Sequence, residues 1–423
     1  MPVEKSLDAK LRSIHADPSG ARDFIIADAK DADMAFGMSA PGVVRQAGVV
    51  RNGGSPEDHQ GELRFKTLPE YREQIRQVID QGIVDIVLMS ASTCQQLAVQ
   101  ERLFDNSPIT PAARANDATD VHLPRGGRVH TEPARPFRTA NIDHMQCGHL
   151  DCSTDERRIG ANLGLYSVTF NNDQTRDLET LQRYKEFREE AERKGFRHFL
   201  EVFDPNRPEA VSADKLPGFI NDLIARTLAG VAQAGRPVFL KIVYHGPQAM
   251  EELVRYDPHL IVGVLGGAAG TTLDAFQLLH QAQRYGGRAA LFGRKINSAE
   301  DQLAFIEFLR LIADGVIEPE EAVRAYHSVL NKLGVPPHRP LKQDLTLQTN
   351  VMSYGGSGTT ISIPVPAPKA ANVATKESAA VPSTATTKNV PTPQPSPDKP
   401  DFAKMTPEER LHYHRERLRK TFG

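Results

Sequence analysis

The sequence predicts an α/β protein built as a (β/α)8 TIM barrel. Three observations carry that prediction. Eight short apolar runs begin near residues 24, 83, 137, 165, 198, 237, 260 and 289. Most are followed by a segment with apolar residues at helical spacing, so strand and helix alternate. The eight units span about 270 residues, the usual size of such a barrel and more strands than an open doubly wound sheet tends to carry. No Gly-x-Gly-x-x-Gly fingerprint opens a first helix, which argues against a dinucleotide-binding sheet.

Taken in order, residues 1 to about 20 read as a short helix closed by Asp17-Pro18-Ser19-Gly20. Phe24 to Asp28 is the first strand, followed by a loop rich in Gly, Met and Pro. Leu68 to Gly82 is a polar amphipathic helix, Ile83 to Met89 a buried strand, and Thr93 to Leu103 a further helix. Residues 105–135 are polar and proline-rich, yet carry Arg114, Asn116, Asp117, Asp120 and His122. A connection of this length inside a domain is either functional or disordered, and its chemistry favours an ordered loop or small hairpin. Phe137 to Ile142 is taken as the third strand and Leu165 to Phe170 as the fourth. Then come helix Leu178 to Lys194, strand His198 to Pro205, helix Leu216 to Ala234 and the strand within Arg236 to Gly246. A short helix from Gln248 to Val254 leads to strand Leu260 to Gly267, which opens into a glycine-rich turn, then helix Thr272 to Tyr285 and the last strand, Ala289 to Arg294. Two helices, 299–313 and 318–333, follow.

The barrel is assigned to residues 1–350. Residues 351–403 are rich in Pro, Ala, Ser and Thr and cannot bury enough apolar surface to offset their chain entropy, so a disordered linker is expected. Residues 404–423 open on Thr406-Pro407-Glu408-Glu409, a capping box with proline in the first turn, and predict an amphipathic helix that docks on a protein partner.

Charged residues make up 25% of the chain and the formal net charge is −2, so neither nucleic acid nor a membrane is called for as a partner. Three cysteines in 423 residues argue against a disulfide framework and fit a reducing, cytoplasmic setting. No secretory signal or transmembrane run is visible.

The chemistry is expected around Lys241, which sits in the middle of an apolar strand. An ammonium in such a place is costly, and a desolvated lysine becomes a nucleophilic amine near neutral pH. In a barrel the active site lies at the C-terminal strand ends. Asp28, Glu201 and Asp204 are acids in or at the ends of core strands, and Asp28 and Glu201 are expected to project toward the lysine. A lysine flanked by carboxylates suits Schiff-base chemistry, although a buried ion pair without chemistry has the same sequence signature. Gly266-Gly267 after the seventh strand and Gly293-Arg294 after the eighth form the expected phosphate-binding turns, aided by a helix dipole and by Arg294 or Lys295.

In the order of these parts the chain resembles the class I, Schiff-base aldolases of the bacterial and archaeal fructose-bisphosphate and tagatose-bisphosphate type, over roughly residues 20–335. The resemblance implies that Lys241 is the nucleophile, Glu201 and Asp28 the acids, and Gly266, Gly267, Gly293 and Arg294 the phosphate contacts. It implies a carbon–carbon lyase acting on a phosphorylated sugar, with no cofactor, as a homo-oligomer. The tagatose-type enzymes carry a second lysine on strand four, where this chain has Ser167.

Two other readings stand beside this one. A non-catalytic barrel would sense a ligand or join an assembly through its terminal helix. A metal enzyme would centre on His144, Cys147, His149 and Cys152, whose spacing matches no common zinc motif, and no metal is assigned.

Overall fold

The computed structural model describes residues 3–44, 64–117, 123–125, 127–128, 131–267 and 270–348. The linker at 351–403 and the helix at 404–423 lie outside the described residues, as do Asp120 and His122.

Eight parallel strands close into a barrel: β1 (Ile25–Lys30), β2 (Ile86–Met89), β3 (Thr110–Arg114), β4 (Leu163–Thr169), β5 (Arg197–Phe203), β6 (Leu240–Ile242), β7 (Val262–Leu265) and β8 (Ala289–Phe292). Closure comes from β1 pairing with both β2 and β8, with Asp28 opposite Val87 on one side and Phe292 on the other. The architecture is thus the (β/α)8 TIM barrel that the alternation of elements predicts.

One strand is displaced from its expected place. Phe137 to Ile142 forms no strand, and the third position is filled by Thr110–Arg114, from within the stretch taken for a loop. Pro111 and two alanines give this strand little intrinsic β-propensity, so the sequence hides it. Burial on both faces and pairing with β2 and β4 hold it in place.

Side chains alternate between two buried layers. Ile25, Ala27, Leu88, Leu163 and Phe199 face the barrel interior, where Leu7, Leu11 and Ile14 of helix α1 (Ser6–Ala16) join them and plug the N-terminal end. Ile26, Val87, Val168 and Leu200 belong to the second layer, against the surrounding helices. Those helices include α2 (Leu68–Gln81), α3 (Gln174–Arg193), α4 (Leu216–Ala229), α5 (Pro247–Tyr256), α6 (Thr272–Arg284), α7 (Gln302–Ala313) and α8 (Pro319–Leu333). Local signals set their ends. Thr67 and Glu70 form a capping box at the start of α2, and Gly82 ends it in the left-handed conformation. Asp173 and Asp301 cap α3 and α7. No described helix is long and apolar enough to cross a membrane.

Candidate active site

The strand register determines which polar side chains meet. Ser167, Glu201 and Lys241 lie side by side on β4, β5 and β6, each opposite the next in the ladder. Each has the parity of the interior layer, so all three point into the barrel near its C-terminal mouth. Lys241 Nζ lies 2.6 Å from Glu201 Oε1, and the two residues are 7% and 2% exposed. The Ser167 hydroxyl donates to Glu201 Oε2 at 2.6 Å. Arg114, at the end of β3, donates from Nη2 to Ser167 Oγ at 3.3 Å and from Nε to the Asn116 carbonyl at 3.0 Å. Its Nη1 pairs with Asp31, one residue beyond β1. Asn116 clamps the Ser167 backbone on both sides, accepting from its N–H at 2.7 Å and donating to its carbonyl at 2.8 Å. The result is a buried belt running Asp31, Arg114, Ser167, Glu201, Lys241, with two positive and two negative charges. A desolvated charge needs such pairing to remain in the interior.

Asp28 is not part of this belt. It shares the parity of Ile26, so it faces the helical layer. There it pairs with Lys30 at 3.2 Å, and Lys30 donates to Asn297 Oδ1 at 2.5 Å and Gln302 Oε1 at 3.1 Å. Burial pushes the Asp28 carboxyl up to about 6, against the pull of Lys30. The acid that β1 offers to the barrel mouth is Asp31, an odd number of residues further on. Every residue of β1 is buried, so no polar alternation marks which face is which. The sequence reading missed Arg114 as a member of the site for the same reason that it missed β3. Asp204, at the end of β5, pairs with His245 Nε2 at 2.9 Å.

Gly266, Gly267, Gly293 and Arg294 line the same mouth cavity as Asp31, Glu201 and Lys241. Two of these glycines are there because strands approach closely. A Cβ on Gly266 would lie 2.1 Å from the Phe292 ring, and one on Gly293 would lie 2.5 Å from the Ala29 carbonyl oxygen. Gly266 N–H is committed to the Leu291 carbonyl at 2.9 Å. The Arg294 guanidinium stacks over the Phe36 ring, 5.0 Å from its centroid. Two expected contributors to an anion site are engaged elsewhere. At the N-terminus of α6, Asp274 closes a capping box with Thr271, and Asp344 accepts from Thr272 N–H at 2.8 Å. Carboxylates therefore already occupy that helix end. Lys295 Nζ is tied to the carbonyls of Gly270 and Thr271 at 2.7 and 3.0 Å, and burial lowers its ammonium to about 8.

The mouth cavity is about 100 Å³. A larger one, about 1070 Å³, opens at the N-terminal end between α1 and the strand starts. Its walls carry the ion pairs Lys10–Asp85 and Arg310–Asp314. The mouth holds the converging lysine, carboxylates and guanidinium, and the C-terminal strand ends are where barrel enzymes work.

The His144 to Cys152 cluster forms no metal-type arrangement among the described residues. Cys147 and Cys152 are joined in a disulfide, which the odd and sparse cysteine count had argued against. His149 faces Glu156 at the surface, and Asp143 pairs with Lys194 at 2.5 Å, at the end of α3 that leads into the start of β5.

No protein-family model matches the sequence, and no curated protein matches it either. Among solved structures, a fructose-bisphosphate aldolase from Slackia heliotrinireducens superposes with a TM-score of 0.51 at 12% identity, covering 76% of this chain and 91% of that one. An archaeal fructose 1,6-bisphosphate aldolase gives 0.49 at 13% identity, over 72% of this chain and 99% of the other. A Corynebacterium glutamicum protein, Cgl0159, gives 0.44 at 16% identity over 75% and 100%. At such identities the likeness is one of fold.

Proposed function

We propose that this barrel is a class I aldolase-like lyase that cleaves a small phosphorylated sugar, or a related carbonyl compound, through a Schiff base on Lys241. The observation that carries the reading is the buried pair of Lys241 Nζ and Glu201 Oε1, 2.6 Å apart at the barrel mouth. The barrel shared with a fructose-bisphosphate aldolase is consistent with it.

The pair supplies both a nucleophile and a proton carrier. The Lys241 ammonium passes one proton to Glu201. The freed lone pair attacks the substrate carbonyl carbon, and a second nitrogen proton moves to the new alkoxide, giving a carbinolamine. Glu201 returns its proton to that hydroxyl, which leaves as water, and the iminium forms. Glu201 is then a carboxylate once more. It takes the proton of the hydroxyl on the carbon beta to the iminium carbon as the C–C bond breaks. The bonding pair flows into the iminium to leave an enamine, and an aldehyde departs. Glu201 returns its proton to the enamine carbon, and water hydrolyses the resulting imine, which releases the ketone and frees Lys241. Backbone groups at Gly267 and Gly293, with Arg294, hold the phosphate at the far side of the cavity. Asp28, facing the helices, is assigned no part in these steps.

A cavity of about 100 Å³ holds a few waters, whereas ligand sites commonly reach some hundreds of Å³. Phe36 and Leu123 are among the apolar groups that line the mouth. The same buried pair also suits a second reading, a barrel that retains it without turnover. Cleavage of a panel of ketose phosphates, followed by release of triose phosphate, separates the two. The first reading predicts turnover that Lys241→Met lowers by roughly 10³-fold or more. No turnover with any member, by a folded protein, supports the second.

A further inference from the structure

We propose that Arg114 is a positioning residue that acts through Ser167 to restrict proton traffic on Glu201 to the oxygen facing Lys241. The proposal rests on the Schiff-base reading and deepens it. Ser167 Oγ has one proton to give. Because Arg114 Nη2 donates to that oxygen at 3.3 Å, the hydroxyl proton is directed onward, to Glu201 Oε2 at 2.6 Å. A guanidinium does not give up its protons in a protein, so the direction of this relay is fixed. Oε2 is thereby held as an acceptor, and Oε1, 2.6 Å from Lys241 Nζ, is the oxygen left to take and return a proton. The Asp31 ion pair and the Asn116 carbonyl hold the guanidinium plane, and Asn116 fixes the Ser167 backbone. Arg114 also places a fixed charge 3.9 Å from Glu201 Oε2. That charge remains when Lys241 becomes a neutral amine or a covalent adduct. Ser167 supplies the hydroxyl from β4, and the cation comes from the neighbouring strand β3.

Among the described residues, the charged and titratable groups that line the mouth with Glu201 are Asp31 just beyond β1, Arg114 from β3, Lys241 from β6, Asp204 just beyond β5 and Arg294 just beyond β8. Removing Arg114 or the Ser167 hydroxyl takes the directed donor away from Glu201 Oε2, so the carboxylate no longer presents Oε1 alone to Lys241.

The experiment is the rate of borohydride-trapped adduct formation with dihydroxyacetone phosphate, measured from pH 5 to 9. The native chain is compared with Ser167→Ala, Ser167→Thr, Arg114→Lys and the charge-balanced double variant Arg114→Gln/Asp31→Asn. Ser167→Ala removes only a hydroxyl, so it tests the relay even if the arginine variants fold poorly. The proposal expects Ser167→Ala to slow trapping about tenfold. Ser167→Thr restores the rate, Arg114→Lys restores it in part, and the double variant matches or exceeds Ser167→Ala. Native-rate trapping in Ser167→Ala, or no rescue by Ser167→Thr, overturns the relay while leaving the Schiff base standing. No adduct on the folded native chain at any pH, with dihydroxyacetone phosphate or any other ketose or aldehyde phosphate, removes the Schiff base and the relay together.

Discussion

Glu201 and Asp28 show how much one residue of strand parity decides. Both are buried acids in core strands, and both are legible in the sequence as costly groups kept for a reason. Glu201 points inward to Lys241, whereas Asp28 points outward to Lys30. Replacing Glu201 with Gln keeps the shape but removes the proton carrier. Turnover is expected to fall by 10² to 10⁴-fold, with KM for a ketose phosphate changing far less. Asp28→Asn should leave turnover near native and show itself in stability instead. Burial holds the folded-state carboxyl protonated to about pH 6, above its ordinary value of 3.8. The folded state therefore binds the extra proton between those limits, and the native chain loses stability there as pH rises. Asp28→Asn does not titrate. Melting curves at pH 4 and pH 7 should show the variant gaining on the native chain by roughly 3 kcal/mol across that interval. An unchanged difference between the two pH values would contradict this account of the Asp28 environment. Lys241 could be picked from the sequence because a lysine interrupts an apolar run between turn signals. Asp31 could not be chosen over Asp28, because a strand buried on both faces gives no alternation from which to read its inner side.

At the scale of elements, legibility followed the strength of local signals. Helices with caps, such as α2 with Thr67 and Glu70, appeared within a few residues of their expected ends. The strand β3 did not, because Thr110-Pro111-Ala112-Ala113-Arg114 derives its structure from its neighbours and not from its own propensity. That one miss concealed Arg114, the hub of the belt. Tertiary packing likewise gives α1 a role that its sequence only hints at. Leu7, Leu11 and Ile14 are 0%, 8% and 2% exposed and close the N-terminal end of the barrel interior. Leu7→Ala is expected to cost about 2–5 kcal/mol in denaturant titration, as a large side chain is removed from a fully packed site. A cost near zero would mean that α1 is not a plug. The turn after β8 has less tolerance still. Gly293→Ala would bring a Cβ to within 2.5 Å of the Ala29 backbone oxygen, so the chain must shift where the phosphate is proposed to sit. This variant should raise KM for phosphorylated substrates and lower the melting temperature together.

For the whole molecule, the fold class was readable because eight alternations admit few other architectures, and because the parallel register brings the ends of all strands to one mouth. The described barrel finishes at Gln348, whose N–H lies 3.2 Å from Asp274 at the start of α6. A chain ending at residue 348 is therefore expected to melt and turn over like the full-length protein. The non-catalytic reading expects a lost partner instead. The central claim is that Lys241 forms a covalent imine, and borohydride reduction in the presence of dihydroxyacetone phosphate, followed by peptide mapping, tests it most directly. The account predicts one adduct, on the peptide carrying Lys241, and none in Lys241→Met. An adduct on Lys30 or Lys295 instead, or no adduct on a folded native chain with any ketose or aldehyde phosphate, would contradict it.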